Sequence, residues 1–263
     1  MSRRRLDAEL VRRNLVRSRE QAREIIEAGH VTVRGAVAIK PATMVDAAEA
    51  VEITTPAVDD YVSRGAHKLI GALDGLGVVV SGTRALDAGA STGGFTQVLL
   101  ERGAAHVIAV DVGYGQLAWV LQSDHRVTVL DRVNVRALVP EQLQYRPDLI
   151  VADLSFISLA LVLPALTACA DPAADILVMV KPQFEVGREM VGSGGVVREP
   201  ALRRSAVRRI SDVAATIGWG TVGSVASPLP GPSGNVEYFL HLRHGFEAIA
   251  DDVLDRVIAE GPA

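Results

Sequence analysis

Only one cysteine, Cys169, stands among 263 residues, so no internal disulfide can hold this chain together. Aromatic residues are also scarce, at 4%. Apolar residues still reach 49% against 22% charged, which excludes a disordered or fibrous chain and leaves ample material for a core. The longest charge-free run, residues 154–170, is seventeen residues long, contains Pro164 and three hydroxyl residues, and is flanked by Asp153 and Asp171. A bilayer span needs roughly 20 apolar residues, so this run is too short. Met1 is followed by Arg3, Arg4 and Arg5 without an apolar stretch, and the expected location is a reducing cytoplasm. A net charge of only −4 provides no overall field for a polyanion, so any such partner must be argued from local charge. That charge is uneven: residues 1–40 hold nine Arg and one Lys against five acids, whereas residues 41–62 hold five acids and no base.

The length accommodates one large domain, or one large domain with a smaller one. In the basic segment, Leu6, Leu10 and Val11 share one helical face while Arg5, Arg12 and Arg13 point elsewhere. Ser18 with Gln21 three residues on has the spacing of a capping box. The helix it starts places Ala22, Ile25 and Ile26 inward and Arg19 and Arg23 outward, and stops at Gly29. Val31/Val33, Val37/Ile39 and Val51/Ile53 then have the alternation of short strands. This order of residues resembles the S-four-type RNA-binding domain, named after a ribosomal protein: Arg-Leu-Asp-x-x-Leu-Val, then Ser-Arg-x-x-Ala-x-x-x-Ile-x-x-Gly-x-Val-x-Val-x-Gly, then Lys-Pro, over about residues 3–54. The resemblance implies that Arg5, Arg17, Arg19 and Arg23 meet RNA phosphates.

From Tyr61 onward, short apolar runs alternate with helical stretches, the pattern of an α/β protein with a mostly parallel sheet. Strands are expected near 84–88, 106–110, 127–130, 148–152, 176–180, 221–226 and 236–242, seven in all. Helices are expected near 64–76, 94–102, 115–121, 158–169, 200–217 and 246–259. The expected organisation is an amino-terminal α+β domain over residues 1–58, a linker over 59–62 and a main domain over 63–263. Ligands of such sheets bind beyond the carboxyl ends of the strands, so residues just after strands matter most.

The first strand of the main domain enters Asp87-Ala88-Gly89-Ala90-Ser91-Thr92-Gly93-Gly94-Phe95, a glycine-rich turn opening a helix. Its glycine spacing does not fit the G-x-G-x-x-G of a dinucleotide site. It resembles the first motif of Rossmann-like S-adenosylmethionine methyltransferases, where no pyrophosphate has to be cradled. Asp111, 22 positions after Gly89 and at the end of the second strand, is placed to accept from a ribose diol. Asp131 follows the third strand, in a position to accept from an adenine amino group, and Asp153 follows the fourth. The fifth strand ends at Lys181, and the last begins at Glu237; if that strand runs antiparallel, Glu237 lies on the same edge. Lys68, in Arg-Gly-Ala-His-Lys-Leu before the first strand, can reach the same cleft.

Lys68, Asp153, Lys181 and Glu237 form the ordered Lys-Asp-Lys-Glu set of the FtsJ-like ribose 2′-O-methyltransferases. Together with the amino-terminal segment and Ser-Pro-Leu-Pro-Gly-Pro-Ser-Gly-Asn-Val-Glu-Tyr, the chain resembles the TlyA group, also called haemolysin A, over nearly its whole length. This implies S-adenosylmethionine as cofactor, no metal, and 2′-O-methylation of cytidine in 16S and 23S ribosomal RNA of the small and large subunits; in mycobacterial members it accompanies sensitivity to capreomycin-type antibiotics. A ribose hydroxyl is a very weak acid, so attack on a sulfonium methyl needs a group that orients it and takes its proton. Lys181 is the first candidate, with Asp153 and Glu237 orienting the amines and Lys68 steadying the hydroxyl.

Weaker signals surround this set. The glycine-rich segment 187–197 suits a lid or a plain surface loop. Phe156 suits a core position, or stacking on a target base turned out of its helix. Arg203, Arg204, Arg208 and Arg209 form a solvated helix face or a wider RNA surface. Tyr61, at the junction, is a candidate for coupling RNA docking to the cofactor pocket. His241 and His244 lack the company of a zinc site. Competing functions are a noncatalytic RNA-binding or ribosome-assembly factor, a membrane-lytic protein, which lacks a spanning segment, and a nicotinamide dehydrogenase, which the glycine spacing opposes.

Overall fold

In the computed structural model, residues 3–13, 15–16, 18–53 and 61–261 are described, and the chain separates into two units, residues 1–60 and 61–263. Asn14, Arg17 and residues 59–60 of the expected linker lie outside the described residues. In the first unit, β1 (Arg4–Arg5) pairs antiparallel with β4 (Met44–Val45), while β2 (Val31–Val33), β3 (Ala36–Val37) and β5 (Val51–Ile53) form a sheet in the order β3-β2-β5. Helices α1 (Leu6–Arg12) and α2 (Arg19–Glu27) pack Leu6, Leu10, Ala22 and Ile26 with Val31, Val45 and Val51. Ser18 caps α2 by accepting from the Gln21 N–H at 3.1 Å, and Gly29 follows in the left-handed region at φ +76°. Val11 and Ile25 are partly buried and pack against this core at the margin of their helix faces. One expectation needs correction. Ile39 is exposed and outside any strand, because the β2–β3 ladder spans just two residue pairs before the chain bends through Lys40-Pro41.

The second unit holds a seven-stranded sheet in the order β11-β12-β10-β9-β6-β7-β8. These are β6 (Arg84–Ala88), β7 (His106–Val110), β8 (Val127–Leu130), β9 (Leu149–Ala152), β10 (Asp175–Val180), β11 (Trp219–Ala226) and β12 (Tyr238–His244). Pairings among β6 to β10 are parallel, and β12 runs antiparallel to both β10 and β11. Helices α3 (Gly65–Leu76), α4 (Gly94–Glu101), α5 (Trp119–Gln122), α6 (Leu163–Cys169), α7 (Pro182–Glu185), α8 (Pro200–Thr216) and α9 (Asp251–Glu260) connect the strands. Both faces of the sheet are covered: Leu86, Ile108, Ile150 and Val178 pack with Leu163, Leu166, Val207 and Ile210, while Val107, Val151, Leu177 and Phe239 pack with Leu69, Leu73, Phe95 and Leu99. Two covered faces explain why the strands are continuous apolar runs.

Three helices differ from the sequence expectation. The helix expected over 115–121 is confined to Trp119–Gln122, because residues 113–118 turn around the carboxylates of Asp111 and Asp131. The one expected over 158–169 breaks into a 3-10 turn, Leu159–Leu161, and α6, with Pro164 in the first turn of α6 where a missing N–H costs nothing. The last helix begins at Asp251 rather than 246. No described helix is long and apolar enough to cross a membrane.

Candidate active site

The chain order reverses between β6 and β9, which are neighbours in the sheet although β7 and β8 intervene in sequence. Beyond the carboxyl end of β6 lies the turn 87–95, the expected position for a ligand. The Asp153 N–H donates to the Ala88 carbonyl at 3.1 Å, and a Cβ on Gly89 would stand 2.5 Å from the Asp153 carbonyl oxygen. Only glycine tolerates that approach, here at φ +89°. Ala90, Gly93, Gly94 and Phe95 are buried, whereas Ser91 and Thr92 are exposed at the tip, with Ser91 at φ +48°.

Asp87 is fully buried and accepts from the Thr96 hydroxyl at 2.6 Å. Burial pushes its carboxyl up to about 7; the Thr96 hydrogen bond opposes this, and the nearby Asp153 adds to it. Asp111 accepts from the backbone N–H groups of Ser91 and Gly113 at 2.8 and 2.7 Å, so it ties the glycine turn to the loop after β7. Asp131 accepts from the Gly115 N–H at 2.9 Å. Both carboxylates thus organise loops and remain partly exposed at the sheet edge.

The four-residue set forms two pairs. Lys181 Nζ stands 2.5 Å from Asp153 Oδ1 and donates to Ser155 Oγ at 2.9 Å. Lys68 Nζ donates to Glu237 Oε2 at 2.6 Å, with both side chains buried. Val180 pairs with Tyr238, and β10 lies beside β9, so Glu237, Lys181 and Asp153 leave successive strands at one edge. Lys68 reaches that edge because α3 packs tightly on the loop after β11: a Cβ on Gly71 would meet Pro228 at 2.7 Å. The antiparallel β12 is what turns Glu237, at a strand start, toward groups at strand ends.

Several neighbours were not singled out from sequence. Glu185 is buried after Lys181 and accepts from the Ser158 hydroxyl at 2.6 Å and the Leu159 N–H at 2.7 Å, fastening the loop that follows Asp153. Burial raises its carboxyl above the usual range. Asn235 is buried two residues before Glu237; it accepts from the Val197 N–H at 2.9 Å and donates to the Gly195 carbonyl at 2.8 Å, anchoring the glycine-rich segment. Nothing in the local pattern names these partners, which lie 26 to 40 residues away in sequence.

Phe156 departs from the core expectation. It is 92% exposed, at φ +63°, with its ring centroid 5.3 Å from that of Phe184. A bulky residue in the left-handed region is strained, and strain of this kind clusters at functional sites. The α8 arginines are neither a bare solvated face nor free: Arg204 and Arg208 reach Asp251, Arg204 also reaches Asp255, Arg203 reaches the Val197 carbonyl, and Arg209 the Glu185 carbonyl. His241 pairs with Asp175, and the His244 ring meets Trp219 edge-on. Among the described residues, no group of three or more His, Cys, Asp or Glu side chains is arranged to hold a metal ion.

The site's acceptor chemistry suits a cationic nucleoside ligand. No Lys, Arg or His stands between residues 85 and 101, and Asp87 Oδ1 and Glu237 Oε1 are buried without a hydrogen-bond partner among the described residues. Unspent acceptors and a turn without basic residues fit an ammonium or sulfonium and a diol, not a pyrophosphate.

The family model described as FtsJ-like methyltransferase matches residues 61–244, and that of the S4 domain matches residues 4–51. The 16S/23S rRNA (cytidine-2′-O)-methyltransferase TlyA of Mycobacterium tuberculosis is 58% identical over 263 residues, covering 98% of either chain. The chain belongs to the TlyA group of FtsJ-like methyltransferases. Another relative within reach of this TlyA-type chain is hemolysin A of Brachyspira hyodysenteriae, 34% identical over 90% of this chain and 98% of that one. A solved structure described as a hemolysin from Streptococcus thermophilus superposes with a TM-score of 0.79 at 35% identity, over 99% of this chain and 96% of the other.

Proposed function

We propose that this chain transfers a methyl group from S-adenosylmethionine to the ribose 2′-hydroxyl of cytidine in 16S and 23S ribosomal RNA, acting in the cytoplasm on small and large ribosomal subunits. In this proposal, residues 1–58 are an RNA-binding domain, 59–62 a linker and 63–263 the catalytic domain. The observation that carries it is the Lys181–Asp153 ion pair beside the glycine turn of a TlyA-type chain, with Lys68–Glu237 on the adjoining strand.

When bound, the cofactor supplies an electrophilic sulfonium methyl. Residues 87–95 would hold its methionine part, Asp111 its ribose diol and Asp131 its adenine amino group. Asp153 fixes Lys181 Nζ, and Ser155 accepts from the same amine, so that nitrogen is held in place for the 2′-hydroxyl. As the O–C bond forms and the methyl leaves its sulfur, the Lys181 ammonium passes one proton to Asp153 and Nζ takes the proton of the hydroxyl. Lys68, held by Glu237, offers positive charge to the oxygen as it becomes more negative. Phe156 and Phe184 form an aromatic surface on which the extruded base stacks. Arg5, Arg17, Arg19 and Arg23 grip RNA phosphates.

The test is transfer of radiolabelled methyl from S-adenosylmethionine to purified unmethylated small and large subunits, followed by nuclease digestion. Label on cytidine ribose is expected, and none with Lys181→Ala of unchanged thermal stability. Label on a base would refute the four-residue mechanism; RNA binding without any transfer would favour a noncatalytic assembly factor.

A further inference from the structure

Asp7 is fully buried in the first turn of α1, where an isolated carboxylate would be costly. Three guanidinium groups from two separate segments meet there. Arg5 donates from Nε and Nη2 at 3.1 and 3.0 Å, Arg19 donates from Nη2 at 3.0 Å, and Arg23 Nε stands 3.6 Å away. The Ala8 N–H completes the shell at 2.8 Å. The Arg5 hydrogen bond, reinforced by Arg19, outweighs burial and holds the Asp7 carboxyl well below the usual range. The three arginines nevertheless stay 43%, 54% and 56% exposed, with one carboxylate against three cations.

Glu9 provides a contrast on the same helix. It is equally buried and pairs with Arg12 and Arg13, but Arg13 spends its other donors on the carbonyls of Asp46, Ala47 and Glu49. That arrangement is a tie within the fold. At Asp7, by contrast, the remaining N–H groups of the partly exposed Arg5, Arg19 and Arg23 have no further hydrogen-bond partner among the described residues.

We propose that Asp7 is a positioning residue for RNA recognition: it gathers Arg5, Arg19 and Arg23 into one preorganised cluster whose outward N–H groups take neighbouring phosphates of ribosomal RNA. The inference rests on the RNA-methylating function proposed above. Free arginine side chains repel one another and lose rotamer freedom when a phosphate captures them. Asp7 settles both costs during folding, and planar guanidinium forks held in place suit phosphate oxygens.

The sign of one measurement separates this from simple charge attraction. Asp7→Asn in the full chain removes a negative charge from a basic surface, so charge counting alone predicts tighter RNA binding. Positioning predicts the reverse: about tenfold weaker binding to purified ribosomal subunits. Because the arginines themselves remain, the dependence of log Kd on log salt keeps its slope. In a background of Arg5→Gln, Arg19→Gln and Arg23→Gln, adding Asp7→Asn causes no further loss. Equal or tighter binding by Asp7→Asn, or a full additional loss in the triple background, overturns the proposal. Should Asp7→Asn unfold the first unit by circular dichroism, Asp7→Glu keeps the charge and shifts the carboxylate by one methylene; weaker binding at unchanged slope supports positioning, and wild-type affinity overturns it. Wild-type protein that binds no subunit refutes the RNA-methylating function itself, an outcome distinct from equal binding by wild type and variant.

Discussion

Replacing Asp87 by Asn turns a buried, titrating carboxyl into a neutral group of the same shape. The Thr96 hydroxyl, 2.6 Å from Asp87 Oδ2, can donate to the amide oxygen instead, so packing is kept while the charge is lost. Burial lifts the Asp87 carboxyl from its ordinary 3.8 to about 7. At about 1.4 kcal/mol per tenfold change in proton affinity, this amounts to about 4 kcal/mol. Below pH 3.8 the folded and unfolded chains both hold the proton. Between pH 3.8 and 7 the unfolded chain has released it and the folded chain has not, so wild-type stability falls as pH rises; above 7 the loss is complete. Groups remote from Asp87 titrate alike in both proteins and cancel in the difference, and the smaller influence of Asp153 and Asp111 leaves its sign unchanged. The stability advantage of Asp87→Asn therefore grows by about 1.4 kcal/mol per pH unit from pH 5 to pH 7 and then levels off. Guanidinium denaturation followed by tryptophan fluorescence measures it, and both tryptophans, Trp119 and Trp219, belong to the second unit. A difference independent of pH between 5 and 7 would show that Asp87 ionises as an ordinary carboxyl and refute the reasoning.

Glu237→Gln leaves the buried Lys68 ammonium without its anion and is expected to cost about 3 kcal/mol, whereas Lys68→Met with Glu237→Leu regains most of that stability but no methyl transfer; chemical denaturation and the subunit assay check both arms. At Phe156, φ +63° favours glycine, so Phe156→Gly is expected to be about 1 kcal/mol more stable than Phe156→Ala, while both lose turnover on ribosomal subunits. Equal stability of the two would show that the backbone relaxes there at no cost. A Cβ at Gly94 would stand 2.1 Å from Ser63 Oγ and 3.1 Å from the Ala66 nitrogen, so Gly94→Ala is expected to cost about 2 kcal/mol and to weaken cofactor binding by calorimetry, with partial recovery when Ser63→Gly is added.

Much of the second unit was legible because its sheet is covered on both faces. Each strand is then a short apolar run, and the polar residue following it marks the carboxyl edge of the sheet, as Asp111, Asp131, Asp153 and Lys181 do. The tight turn at Gly89, Gly93 and Gly94 was legible from their spacing, since the backbone must turn and pack closely whatever surrounds it. Local pattern failed where a distant partner decides the outcome. Residues 115–118 have helical periodicity, yet the carboxylates of Asp111 and Asp131 draw the backbone N–H groups of Gly113 and Gly115 into a turn. The arginines of α8 read as a free basic face, but α9 brings Asp251 and Asp255 against them.

By itself, then, the sequence determined the order of elements and placed the glycine turn and three of the four candidate residues, Asp153, Lys181 and Glu237, at strand ends, because strand ends and glycine positions are properties of a local stretch of chain. Only the tertiary structure decided how that set is divided, Lys181 with Asp153 and Lys68 with Glu237, because a salt bridge depends on which side chains the sheet order brings within 3 Å. It also decided that Phe156 faces solvent in a left-handed backbone and that Arg5, Arg19 and Arg23 converge on Asp7. A hydrophobic pattern records which side of an element is buried; the partner a charge finds there is set by segments far away in sequence, through packing that no local pattern encodes.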